Sequence, residues 1–170
     1  IINVMIAADE GMYIVTSKGK PFYEQLTETG EVALSAMCPD CQSLKFYGKV
    51  KKVEKKWVDK VFEENPGMNE VYPGDTRYIL DAFLIYEGTG EWFDLLNYPI
   101  NRETFSFGME EEKAGFEIMD NCIACGNCVN ACPQKCITPG SVYRIDLSHC
   151  LQCGACMETC PAGAVRKIHE

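Results

Sequence analysis

The amino-acid sequence predicts an α+β protein of two unequal modules: a barrel of short strands with one or two interposed helices, followed by a small cysteine-rich domain. Three observations lead there. Runs rich in β-branched and aromatic residues, bounded by Gly, Pro and Asp, fill the first two-thirds. One segment within that part has clear helical periodicity. Nine of the eleven cysteines lie between Cys122 and Cys160, which marks an abrupt change of composition. A chain of 170 residues has room for a core domain plus a mini-domain too short to be stabilised by burial alone.

In chain order, strands are expected at MYIVT (12–16), EVALSAM (31–37), LKFYGKV (44–50) and YILDAFLIYEG (78–88). After GTG, EWFDLL at 91–96 reads as the return strand of a hairpin. A short helical turn is expected after Pro21, in PFYEQLTET. The main helix is VEKKWVDKVFEEN. There Val53, Trp57, Val58, Val61 and Phe62 share one face, lysines and glutamates lie opposite, and Asn65-Pro66-Gly67 stops the run. The stretch after Asn97, through EEEK to Gly115, is polar and reads as the connection. The expected modules are residues 1–107 and 118–170, with 108–117 as the linker.

The formal net charge of −9 is confined to the first part: residues 1–119 hold 12 Lys/Arg against 21 Asp/Glu, and residues 120–170 hold 4 against 4. Such an acidic surface disfavours nucleic acid. No apolar run approaches the roughly 18–20 residues of a membrane span, and no signal-peptide pattern opens the chain. A soluble cytoplasmic protein is expected.

Two runs share the spacing C-x2-C-x2-C-x3-C-P: Cys122, Cys125, Cys128, Cys132, Pro133, then Cys150, Cys153, Cys156, Cys160, Pro161. A thiolate at every third residue of a tight loop can wrap three corners of a cubic [4Fe-4S] cluster, and the fourth corner must be reached from elsewhere. In two-cluster ferredoxins the last cysteine of each run serves the other cluster. That rule groups Cys122, Cys125, Cys128 and Cys160 at one cluster and Cys150, Cys153, Cys156 and Cys132 at the other. Gly126 and Gly154 follow the second cysteine of each run and permit positive φ and close backbone approach to sulfur. A disulfide framework would need an oxidising compartment, and structural zinc favours separated C-x2-C pairs or mixed Cys/His sets. Residues 118–170 thus resemble the bacterial-type 2[4Fe-4S] ferredoxin module, which implies short hairpins, two short helices and low-potential electron transfer. Alignment of the two runs sets Cys136 opposite Ala164, as a small packed residue. His149 and His169 have no ligand partner at useful spacing and read as structural or solvated.

In TSKGK, a strand end with two hydroxyls, two lysines and a glycine meets a helix start, which suits either a phosphate cradle or a solvated turn. The run GMYIVTSKGKPFYEQLTETGEVALSAM, then a strand and KKVEKKWVDKVFEENPGM, resembles the flavin-binding split-barrel family that includes pyridoxamine 5'-phosphate oxidase. The resemblance spans residues 1–107. It implies an FMN-binding split β-barrel, FMN phosphate held by Thr16, Ser17, Lys18 and Lys20, and a homodimer with flavin in the intersubunit cleft. Relatives of this barrel also bind a deazaflavin or haem. The family carries an earlier strand pair with an Arg-Pro that lines the flavin. This sequence begins after that place, so the expectation is either a fragment whose N-terminal strands are missing or an incomplete flavin site. No set of basic residues for a substrate phosphate follows, which argues against oxidation of pyridoxamine phosphate. Cys38 and Cys41, in AMCPDCQSL, form a lone C-x2-C that reads as a hairpin turn or as a redox or metal-binding pair.

Together these readings predict an iron-sulfur flavoprotein oxidoreductase of anaerobic metabolism. Two [4Fe-4S] clusters and FMN would exchange electrons with a ferredoxin-like redox partner and a small-molecule acceptor. The alternative is a non-catalytic carrier whose barrel serves dimerisation or docking.

Overall fold

The computed structural model describes residues 2–38, 40, 42–111 and 114–168. It is an α+β protein that divides into two compact units. The first comprises Ile1–Leu34, Lys45–Gly90 and Phe105–Glu111, the second Ser35–Leu44, Glu91–Thr104 and Glu112–Glu170.

The first unit is barrel-like and dominated by a sheet of which residues 35–37, 42–44, 91–94 and 101–104 belong to the second. Strands β1 (Ile6–Ala8), β2 (Gly11–Ser17), β3 (Glu31–Met37), β4 (Gln42–Lys52), β5 (Leu80–Asp94) and β6 (Asn101–Phe107) form one sheet. Its order is β1-β2-β5-β4-β3, and β6 also pairs with β5. Strands β2 and β5 are antiparallel, with Ile14 opposite Phe83 and Thr16 opposite Asp81. Because side chains alternate along a strand, both faces of this pair are apolar. Tyr13, Val15, Leu80, Ala82 and Leu84 pack in one core cluster with Val58, Val61 and Phe62. Ile14, Phe83 and Ile85 pack in another with Leu26, Val32, Phe46 and Val50.

The first of these layers is supplied by helix α2 (Lys56–Glu64), where the expected apolar face is realised: Val58, Val61 and Phe62 are buried and the Trp57 ring stacks on Tyr13 at 3.8 Å. Each buried side chain of this size contributes about 2 kcal/mol. Asn65 ends the helix, its amide donating to the carbonyls of Val61 and Met5, both at 3.0 Å. The turn expected after Pro21 is a full helix, α1 (Pro21–Thr29). Proline opens it and Gly30, at φ 68°, closes it in the left-handed conformation. A single turn, α3 (Met68–Val71), follows α2.

Two expectations are corrected. The GTG sequence is no hairpin turn: β5 runs unbroken from Leu80 to Asp94, and 91–94 continue the same strand. The glycines are there for space. A Cβ on Gly88 would overlap the Phe46 ring and the Tyr47 carbonyl, and one on Gly90 would overlap the Phe105 ring. The polar stretch after Asn97 also contains a strand, β6, because ladder hydrogen bonds to β5 need no apolar side chains.

The second unit holds β7 (Gly115–Ile118), α4 (Asn127–Ala131), β8 (Ile137–Thr138), β9 (Arg144–Ile145), α5 (Ala155–Glu158) and β10 (Val165–Ile168). Strand β7 pairs antiparallel with β10, and β8 with β9. The cysteine repeat is also a repeat of backbone, at the offset 150 − 122 = 28. Ala124 and Gln152 have φ 53° and 56°, Gly126 and Gly154 both 80°, Lys135 and Gly163 53° and 58°. Left-handed residues recurring at one spacing give each motif the same loop, followed by the same short helix.

Gly88→Ala is expected to destabilise the first unit by about 1–3 kcal/mol through overpacking. Urea or thermal unfolding checks it, since a solvated GTG turn would leave the midpoint unmoved.

Candidate functional site

In the second unit, each motif loop turns its backbone toward its own sulfurs. Ala124 N–H donates to Cys122 Sγ at 3.4 Å, and its counterpart Gln152 N–H donates to Cys150 Sγ at 3.3 Å. Ala164 N–H reaches Cys160 Sγ at 3.3 Å, and Cys136 N–H donates in the same way to Cys132. Such bonds favour the anionic sulfur. Burial pushes the Cys132 thiol up, but donors from Cys136, Gln134 and Lys135 outweigh it and leave the pKa below the ordinary thiol value. Burial dominates at Cys128, which is raised, and at Cys156, which is pushed up to about 11. Metal ligation would have to offset that cost of ionising them.

One set of sulfurs is grouped across the motifs. A recess is lined by Cys150, Cys153 and Cys156 of the second run together with Cys132 of the first. Cys136 lines the same recess and is buried, its Sγ 3.5 Å from Cys132 Sγ, which is where a small packed residue was expected. Among the described residues no three His, Cys, Asp or Glu side chains converge on a point as a single ion requires. A four-iron cluster presents separate corners, so its ligands stand farther apart than the ligands of one zinc. The donor set, four cysteine sulfurs, therefore fits a [4Fe-4S] cluster. Pro133 and His149, which flank Cys132 and Cys150, bond to the segment Tyr98–Ile100. Tyr98 OH donates to the Pro133 carbonyl at 2.8 Å, and His149 Nδ1 lies 2.7 Å from the Ile100 carbonyl.

The first unit carries a different cluster of charge. On β2 and β5 the apolar column Ile14/Phe83 ends in Thr16 and Asp81, which face each other across the ladder and are both 1% exposed. The Asp81 carboxylate receives Lys52 at 2.8 Å, Lys55 at 2.9 Å and the Tyr23 hydroxyl at 2.9 Å, with Lys18 at 3.9 Å. Burial pushes its pKa up, but hydrogen bonds from Lys52, Lys55 and Tyr23 and the Lys55 charge prevail and hold it at about 2. Three lysines on one carboxylate leave two positive charges in surplus. Thr16 Oγ is buried with no hydrogen-bond partner.

Of the four residues expected at a phosphate cradle, Thr16 and Lys18 meet at Asp81. Ser17 pairs with Leu80 on the opposite face of the sheet, and Lys20 is exposed at the start of α1. Lys52, Lys55 and Asp81 were not anticipated. Their signal was a lone carboxylate inside LDAFLIY, which needs a buried cation, and the lysine-rich KKVEKK that supplies it. Cys38 is exposed, and Cys41 and His169 lie outside the described residues.

Known proteins give the C-terminal part a family. Residues 121–164 match the model of the 4Fe-4S dicluster domain. A ferredoxin from Butyribacterium methylotrophicum is 52% identical over 31 residues, which is 18% of this chain and 56% of the ferredoxin. A NimC/NimA family protein from Clostridium acetobutylicum is 20% identical, with a TM-score of 0.48. That alignment covers 56% of this chain and 65% of the other, so this chain spans less than two-thirds of either relative. The C-terminal region is accordingly a ferredoxin-type 4Fe-4S dicluster domain. No described helix is long and apolar enough to cross a membrane.

Asp81→Asn is expected to destabilise the first unit by about 2–4 kcal/mol, because three ammonium groups lose their counter-ion. In the native protein the depressed pKa gives stability that is present above the unfolded value near 4 and lost as pH falls toward 2. Urea titrations of both proteins between these pH values check it, and the variant's midpoint should be flatter.

Proposed function

We propose that the chain is an iron-sulfur flavoprotein that moves electrons between two [4Fe-4S] clusters and FMN, and so to or from a small acceptor. The observation that carries this reading is the recess in which Cys132 stands with Cys150, Cys153 and Cys156. These four would hold one cluster, and Cys122, Cys125, Cys128 and Cys160 the other. When bound, the clusters supply one-electron transfer and FMN the change between one- and two-electron chemistry. The chain's own part is to bind and tune. Buried thiolates fix the iron, N–H donors from Ala124, Gln152, Cys136 and Ala164 stabilise the charge on sulfur, and apolar neighbours such as Phe116 and Ile137 exclude water.

A phosphate monoester, which carries close to two negative charges at neutral pH, suits the surplus of the Lys18, Lys52 and Lys55 cluster. The unpartnered hydroxyl of Thr16 suits it as well, whereas Ser17 faces the other side of the sheet. A homodimer, a ferredoxin-like redox partner and a cytoplasmic setting that keeps thiols reduced complete the reading.

Anaerobic purification with iron and acid-labile sulfide analysis tests the core of it, and about eight irons per chain are expected. Cys160→Ala should lower the count to about four, with Cys150, Cys153, Cys156 and Cys132 still occupied. Colourless, iron-free protein would overturn the reading. Flavin absorption superimposed on the broad iron-sulfur spectrum is expected too, and its absence from iron-replete protein would favour the non-catalytic carrier.

A further inference from the structure

The two cysteine motifs are twins in sequence and backbone, yet their surroundings differ. Gln134 and Ala162 occupy matched positions at the offset of 28, as do His149 and Asn121. In one half the matched groups close on each other, with the Asn121 amide donating to the Ala162 carbonyl at 3.1 Å. In the other half a foreign peptide is inserted between them. Ile100 N–H donates to Gln134 Oε1 at 2.9 Å, and the Ile100 carbonyl lies 2.7 Å from His149 Nδ1. Tyr98 pins the same segment to Pro133, and Ile100 is 3% exposed. Burial follows this difference. Cys150, Cys156 and Cys132 are buried and Cys153 is exposed, whereas in the other set only Cys128 is buried, Cys122 and Cys160 are half-buried and Cys125 is exposed; Ile123 is 65% exposed where its twin Leu151 is half-buried.

We infer that Tyr98–Ile100 is a clasp that guards the Cys132, Cys150, Cys153 and Cys156 site. The Cys122, Cys125, Cys128 and Cys160 site is left as the one that meets solvent and outside one-electron carriers. Tyr98, Ile100 and the Gln134 side chain are positioning groups: Tyr98 bonds to the Pro133 carbonyl and the Gln134 side chain to Ile100, whereas the Gln134 backbone N–H donates to Cys132 itself and is unchanged by a side-chain substitution. The inference rests on the proposed clusters. Each site takes up one electron and no proton, so reduction adds negative charge at a fixed place. Burial disfavours the more highly charged form. The guarded site therefore reduces at the lower potential and releases iron more slowly.

The test uses the full chain, reconstituted anaerobically and assayed for iron before anything else. Protein that takes up no iron overturns the cluster reading and this inference together. With about eight irons bound, an added chelator should remove them in two phases of equal amplitude, and a mediated one-electron titration followed by EPR should show two separate steps. Tyr98→Phe, a change at an exposed ring, should speed the slow phase by about fivefold, the factor expected from one lost hydrogen bond. It should also raise only the lower potential. Adding Gln134→Ala should extend both effects, while Asn121→Ala should act on the fast phase alone. A single phase of iron loss with a single reduction step in iron-replete protein would overturn the clasp. So would a Tyr98→Phe protein whose two phases and two potentials all match the parent's.

Discussion

Cys132 stands among the sulfurs of the other motif, and the architecture of the second unit follows from that placement. A run of three cysteines can wrap a cluster only locally. In the proposed arrangement, exchange of the fourth would make each loop dependent on the other, and the strand pairs β7/β10 and β8/β9 are only four and two residues long. So small an apolar body contributes little net stability once chain entropy is counted. Its buried layer is largely sulfur: five of the eight buried members of its core are cysteines. In the proposed holoprotein the same atoms are core and cofactor ligand, so folding and metal loading become one equilibrium.

The first unit follows the opposite logic. Its sheet is apolar on both faces, and helix α2 covers one of them. Polarity enters where the column of Ile14 and Phe83 reaches the strand ends, and it enters as a charged group that is paired several times over. A carboxylate as buried as Asp81 would be strongly unfavourable alone. Lys52 and Lys55, from the end of β4 and the residues before α2, remove the penalty and leave a cationic rim. The rim thus results from keeping one acid ionised within the sheet.

Legibility in the sequence tracked how local each signal was. EVALSAM is a strand at the limits read from its alternation, and VEKKWVDKVFEEN places its apolar stripe where the periodicity puts it, because both patterns are set by residues within one turn or one pleat. The cysteine spacing gave the loops for the same reason. GTG failed because glycine has two uses. One is freedom to turn, the other is absence of a side chain, and only the position of Phe46 and Phe105, distant in sequence, shows which applies. The lysine cluster around Asp81 was only partly visible along the chain for a related reason. TSKGK reads as one group along the chain, but strand alternation puts Thr16 and Ser17 on opposite faces, and the lysines that join Thr16 come from residues 52 and 55.

The internal repeat invites the assumption that its two halves do the same thing, and the sequence alone offers nothing against it. What separates them is a segment some fifty residues away from Cys150 along the chain: His149 Nδ1 meets the carbonyl of Ile100, at a separation of 49. A bare duplication yields two equal centres, and equal centres impose no order on electrons passing between them. Unequal burial does impose one, since a charge costs more to place where fewer solvent dipoles respond to it. The Ile100 peptide supplies that inequality through two backbone hydrogen bonds, and neither iron ligation nor the motif spacing has to change. A fold built on symmetry thereby gains direction from a residue outside the symmetric part.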